Sequence, residues 1–173
     1  MSALARYRLI GIAIALGLFA ADQFVKWLML EPLRLRQVKV IEILPFFDLR
    51  WTENYGVSLG MLTAETMEMR LMLLALTGGI ALFVFIWMLR EKAFGDIAAL
   101  AMILGGALGN IRDRMNHGFV IDYADLHFGE FRPFLIFNIA DAAITIGVLI
   151  ILARSLFSRD KPETDEITPA PES

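Results

Sequence analysis

Between Leu71 and Leu89 the chain runs for 19 residues without a charged side chain. At about 1.5 Å of rise per residue, a helix over that stretch is long enough to cross the hydrocarbon core of a bilayer. Three further apolar stretches approach the same length. The first runs from about Leu9 to Leu30 and is interrupted by Asp22, Gln23 and Lys26. Another runs from about Ile97 to Met115 and is charge-free until Arg112. The last begins near Pro133, ends near Phe157 and is broken by Asn138 and Asp141. A backbone in hydrocarbon must satisfy its own hydrogen bonds, so each stretch is expected to be helical. The expected fold is an all-α membrane protein of four transmembrane helices. With 57% hydrophobic and 20% charged residues, lipid is the solvent for much of its surface.

The 173 residues leave room for one domain, expected over 1–157. The tail from Ser158 to Ser173, rich in proline and acids, reads as a disordered cytoplasmic end. Arg6 and Arg8 before Leu9–Ala20 imitate a cleaved leader. Leu18, however, stands where cleavage after Ala20 needs a small residue, and apolar sequence resumes at Trp27–Leu30. A retained first helix is expected.

Composition removes several classes of function. A net charge of −3 with no basic run argues against nucleic acid. There are no cysteines, which excludes thiol catalysis, disulfides and iron–sulfur clusters. His117 and His127 alone leave little material for a metal centre, so neither metal nor cofactor is expected.

The short basic flanks set the expected orientation. Arg6 and Arg8, Arg90 and Lys92, and Arg154, Arg159 and Lys161 all fall on one side, assigned to the cytoplasm with both termini. Arg34, Arg36, Lys39, Arg50 and Arg70 fall on the other side, spread along a loop and interleaved with acids. That loop, Glu31 to Arg70, is too long for a plain connection. Leu33-Arg34-Leu35-Arg36, Val38-Lys39-Val40 and Phe47-Asp48-Leu49-Arg50-Trp51 alternate with period two, and Pro45 breaks the pattern. Strands with one apolar face follow, as a small extracytoplasmic β-sheet between helices one and two. A cap without any substrate role is the plainer alternative.

Ionisable residues at membrane depth are costly, and each is a functional candidate. At about 100° per residue, Gly106, Asn110, Asp113 and Arg114 share one arc of the third helix. Asn138, Asp141 and Thr145 share an arc of the fourth. Gly105, Gly106 and Gly109 supply small residues where backbones approach, which packing alone explains. Asp22 and Lys26, four apart with the acid first, form a favoured intrahelical pair. Mutual neutralisation competes there with a role in holding substrate or its lipid. Asp113 with Arg112 or Arg114 reads as an ion pair at a helix end, and Arg114 is also placed to face a lipid carbonyl or phosphate.

Asp122 and Asp141 remain. Asp122 sits in the short outer segment after the third helix, and Asp141 about 12 Å along a fourth helix begun at Pro133. A direct return of the chain would let both carboxylates meet just below the outer surface. Two acids in a poorly solvated site share one proton. One then serves as base on a water while the other polarises a carbonyl, which hydrolyses a peptide without a metal. A proton relay or small transporter using the same acids is the alternative. Against it stand the lack of an inverted repeat and of paired broken helices. A non-catalytic assembly factor is a third reading.

Five segments, in order, resemble the motifs of lipoprotein signal peptidase (signal peptidase II). They are Asp22-Gln23-Phe24-Val25-Lys26, Asn54-Tyr55-Gly56-Val57-Ser58, the run Gly105 to Arg114, Val120-Ile121-Asp122-Tyr123, and Phe137-Asn138-Ile139-Ala140-Asp141. Tyr123 stands where phenylalanine is usual, and Leu59 where an aromatic often follows, which affects the packing of the outer loop. The resemblance implies a multi-pass aspartic endopeptidase of the bacterial plasma (inner) membrane, with its active site near the outer face and sensitive to globomycin. Its implied substrate is a diacylglyceryl-modified prolipoprotein, cleaved before the lipidated cysteine, with membrane lipid as surroundings and a monomer as the working state. Asp122 and Asp141 become the catalytic pair. Asn54, Gly56, Asn110, Arg114 and Asn138 become substrate-binding or dyad-supporting residues, and Asp22, Lys26 and Asp113 structural or lipid-facing support.

Overall fold

The computed structural model describes residues 1–57, 62–63 and 67–157. The expected disordered tail and the contacts of Leu59 lie outside the described residues. Among the described residues, four helices are long and apolar enough to cross a membrane: α1 (Ala3–Leu30), α3 (Met67–Arg90), α4 (Phe94–Asn116) and α5 (Ile139–Phe157). A single turn, α2 (Leu35–Val38), follows α1. Strands β1 (Val40–Leu44), β2 (Phe47–Asn54), β3 (Gly56–Val57) and β4 (Leu62–Thr63) precede α3, and β5 (Val120–Leu126) lies between α4 and α5.

α4 is the hub, packed against α1, α3 and α5. Its small residues allow this. A Cβ on Gly106 would strike the carbonyl of Ala140 on α5. One on Gly109 would come within 2.5 Å of the Asp22 carboxylate on α1. The membrane half of the core, Ala15, Ala81, Val84, Met88, Ile97, Leu100, Ala101 and Leu104, fills the space between α1, α3 and α4.

A three-stranded antiparallel sheet, ordered β1-β2-β5, caps one end of the bundle. Pro45 falls between β1 and β2, where the broken alternation places it. The sheet is larger than a loop between two helices could make, because its third strand comes from the far side of α4. β5 is buried along almost its whole length, on both faces, and so carries no alternation to read. A second core of Met29, Leu35, Trp51, Phe119, Ile121, Tyr123 and Ala124 joins the sheet to the end of α1.

Two local expectations are corrected. Leu35–Val38 is a helical turn and not a strand; Arg34 and Lys39 flank it at φ 47° and 73°, and Leu35 plugs the second core. The last membrane helix begins at Ile139 and not near Pro133. Phe137 is held in extended form by bonds in both directions with Ala124 of β5, so residues ahead of it cannot join the helix.

Candidate active site

Because α5 starts late, Asp141 lies in its first turn, not deep along it. Asn138 and Asp141 cap that turn reciprocally. The Asp141 amide donates to Asn138 Oδ1 at 2.9 Å, and the Asn138 amide donates to Asp141 Oδ2 at 3.3 Å. A polar residue followed three positions later by an acid is the capping-box pattern at a helix start. The cap fixes Asn138, and its Nδ2 then reaches Asp122 Oδ1 at 2.6 Å on β5. One buried asparagine therefore touches both aspartates.

Each remaining carboxylate oxygen meets another amide. Asn54, from the end of β2, donates to Asp122 Oδ2 at 3.0 Å. The register makes this reach possible: Thr52 lies opposite Asp122 and Asn54 opposite Val120, a diagonal on one face of the sheet. Asn110, from α4, donates to Asp141 Oδ1 at 2.8 Å. An asparagine amide can be turned either way, and here every one is set by a donor at its oxygen. Gly56 N holds Asn54 Oδ1 at 3.1 Å, and Lys26 Nζ holds Asn110 Oδ1 at 3.2 Å. Asp141 N does the same for Asn138. All three side-chain amides thus aim their NH2 groups at the acids.

Asp122 is almost fully buried, and both donors are uncharged. Burial first, and then the Asp141 carboxylate, push it from 3.8 up to about 7, against the pull of Asn54 and Asn138.

A second acidic cluster lies behind the first. Lys26 Nζ contacts Asp22 Oδ2 at 2.8 Å, Asp113 Oδ2 at 2.7 Å and Asn110 Oδ1, so its three protons are all placed. Asp113 was expected to pair with Arg112 or Arg114; its cation is Lys26 of α1, brought close by the helix packing. Asp22 Oδ1 accepts from Ala140 N at 3.1 Å, and Asp113 Oδ2 from Ile121 N at 3.2 Å. The cluster therefore braces the residues next to Asp141 and Asp122.

Gln23 was missed as a site-supporting residue. Its Nε2 reaches Asp22, Asp113 and the Gly109 carbonyl, while its Oε1 accepts from Arg112 at 2.6 Å. A polar amide inside a membrane span, beside Asp22, was the available signal. Arg114 is half-buried, and its Nε has no hydrogen-bond partner among the described residues. Gly56 contributes its backbone N–H. Thr145 lies apart from the amide network, in an apolar groove of about 300 Å³ beside Asp141 that Phe134, Leu135, Phe137, Ala142 and Ile146 also line. Among the described residues no group of acids and histidines is arranged to hold a metal.

Fold and site together define a multi-pass membrane protein whose paired acids are enclosed by amides where helix bundle meets sheet. The chain belongs to the signal peptidase (SPase) II family, whose model matches residues 14–157. It is a peptidase by that membership. A lipoprotein signal peptidase of Sphingopyxis alaskensis is 49% identical over 169 residues, covering 98% of each chain. One from Rhizorhabdus wittichii is 50% identical over 154 residues, covering 89% of this chain and 90% of its own. A solved bacterial membrane enzyme structure, obtained by the in meso method at 2.3 Å, matches with a TM-score of 0.76 at 25% identity. It covers 92% of this chain and 94% of that one.

Proposed function

We propose that this chain is an aspartic endopeptidase that removes signal peptides from diacylglyceryl-modified prolipoproteins, cleaving before the lipidated cysteine. The observation that carries the reading is Asn138, which hydrogen-bonds Asp122 and caps Asp141 at once. Two acids joined this way, with neutral donors alone on their oxygens, are suited to sharing a single proton.

In the proposed reaction Asp122 starts protonated and Asp141 ionised. Asp141 takes a proton from a water, and the water oxygen bonds to the scissile carbonyl carbon. Asp122 gives its proton to the carbonyl oxygen as the C=O π bond opens, leaving a neutral gem-diol. Collapse breaks the C–N bond. Asp141 delivers its proton to the departing nitrogen, and a gem-diol hydroxyl returns one to Asp122. Protons balance, and the pair ends as it began. The amides hold both acids through the cycle.

The groove beside Asp141 supports a lipid-linked substrate, since an apolar chain entering from the bilayer would reach the acid without crossing water. In this reading the sheet end faces outward, both termini are cytoplasmic, and a monomer is sufficient. Purified protein incubated with a lipidated prolipoprotein should release the signal peptide, and globomycin should block it. Asp122→Asn and Asp141→Asn should each abolish release while the protein stays folded. Undiminished turnover in either variant would sink the dyad.

A further inference from the structure

We infer that the connection from β5 to α5, residues 127–138, is an interfacial anchor that seats in the phospholipid leaflet on the sheet's side of the bilayer. Its large apolar side chains are turned outward. Phe128 is 59%, Phe131 66%, Phe134 62% and Leu135 70% exposed. All four lie outside the membrane-spanning helices. Four large apolar side chains turned outward within one short segment point to a contact with something apolar.

The exposure is built in by the backbone. Phe128 N donates to Phe131 O at 2.8 Å and Phe131 N to Phe128 O at 3.2 Å. Between them Gly129 takes φ +63° while Glu130 stays at negative φ, the pattern of a type II′ hairpin turn. The paired phenylalanines are cross-strand neighbours, which puts their rings on one face of the small ribbon. Both ends are tied down, His127 N to Phe46 O at 3.0 Å and Phe137 N to Ala124 O at 3.1 Å. Four apolar groups are thus held out by a fastened segment.

Connectivity identifies the occupant. α5 begins at Ile139, and Phe134 and Leu135 share a groove with Ile146, which lies about 10 Å further along that helix. Keeping Phe134 and Leu135 out of lipid would pull the first turns of a membrane helix out as well. The charged groups fit a headgroup layer. Arg50 and Arg132 both place Nε on the buried Asp125, at 2.7 and 3.2 Å. Their terminal nitrogens make no hydrogen bond among the described residues; Arg50 Nη2 lies 3.9 Å from Asp48. Those nitrogens are available to phosphate oxygens. Glu42, Asp48, Glu130 and His127 lie on the same elements, so acids outnumber cations there. The surface therefore suits zwitterionic phospholipid and gives no preference for anionic lipid. Such an anchor sets the depth of Asn138 and Asp141, which follow it directly.

The chain has no cysteine, so single thiols report cleanly. Spin labels on Phe131→Cys, Phe134→Cys and Leu135→Cys, in phosphatidylcholine nanodiscs, can be read by collision with oxygen and with a water-soluble nickel complex. Leu82→Cys on the apolar face of α3 and Lys92→Cys in the α3–α4 loop serve as references. The three anchor labels should match Leu82, with an oxygen-to-nickel ratio severalfold above that of Lys92. A ratio like that of Lys92 would overturn the anchor. So would shielding from both reagents, which means a protein partner, or dipolar broadening between copies, which means self-association. The readout needs no substrate, so it stands or falls separately from the peptidase reading.

Discussion

Two pairs of aspartates lie a few bonds apart in this protein, and their surroundings are opposite. Asp22 and Asp113 share the ammonium of Lys26. Among the described residues, Asp122 and Asp141 accept hydrogen bonds from amides alone, with the Arg114 charge nearby but bonded to neither. Asp22, Asp113 and Asp122 are nearly inaccessible to water, so burial alone does not separate the pairs. The charge of the donor does. A buried carboxylate paired with a cation is locked in place by that ion pair and works as a brace. One held by neutral amides keeps its orientation without a bonded counter-ion, the setting that the proposed proton exchange needs. Asn110 links the pairs, since its oxygen takes Lys26 and its nitrogen serves Asp141.

The largest effect should come from the amide-held pair. Replacing Asp122 or Asp141 by asparagine should lower turnover by at least about 10²–10⁴-fold, the range that positioned acid–base groups contribute. Thermal unfolding in detergent should be unharmed. Replacing Lys26 by methionine should invert that profile, costing about 3–5 kcal/mol of stability because two buried acids lose the cation they share. Adding Asp22→Asn and Asp113→Asn should restore folding, yet turnover should stay reduced because nothing charged then orients the Asn110 amide. Full recovery of turnover in the triple variant would show the two pairs to be independent.

Asp122 also sets a pH dependence with a definite sign. Folding raises it from 3.8 to about 7, so the folded state favours its protonated form. That contribution is complete below about pH 4 and is lost as pH rises through 7. At pH 8 the Asp122→Asn variant should therefore be more stable than the parent, by on the order of 4 kcal/mol, and near parity at pH 4. Unfolding curves at the two pH values check this.

Much of the fold is legible in the sequence, and what is not has a common cause. Membrane helices announce themselves by composition, and Asp122 and Asp141 stand out as the acids left over once Asp22 and Asp113 are given nearby cations. Alternation over Leu33 to Val40 was too short to tell a strand from a helical turn closed over a buried leucine. The start of α5 depends on Phe137 pairing with Ala124, and the partner of Asp113 on α1 meeting α4. Both are long-range contacts, invisible to local pattern. β5, covered on both faces, has no periodicity to betray it. The role of Gln23 rests on α1 meeting α4, because its partners Asp113, Gly109 and Arg112 are all on the other helix.

The finest test of the comparison is Asn54, which touches only one acid of one pair. Its bond to Asp122 Oδ2 favours the ionised form and so holds Asp122 lower than burial would leave it. Asn54→Ala removes that pull without adding charge, and Asp122 should rise further. If Asp122 is the proton donor, kcat/KM in the parent falls as pH rises past about 7, where the proton is lost. The variant should carry this alkaline limb to higher pH, with a lower plateau because one carboxylate oxygen is no longer oriented. Asn110→Ala acts on Asp141 instead and should lower the plateau without carrying the alkaline limb upward. Equal shifts from the two variants would mean that the acids titrate as one unit, and the assignment of the resting proton to Asp122 would have to be given up.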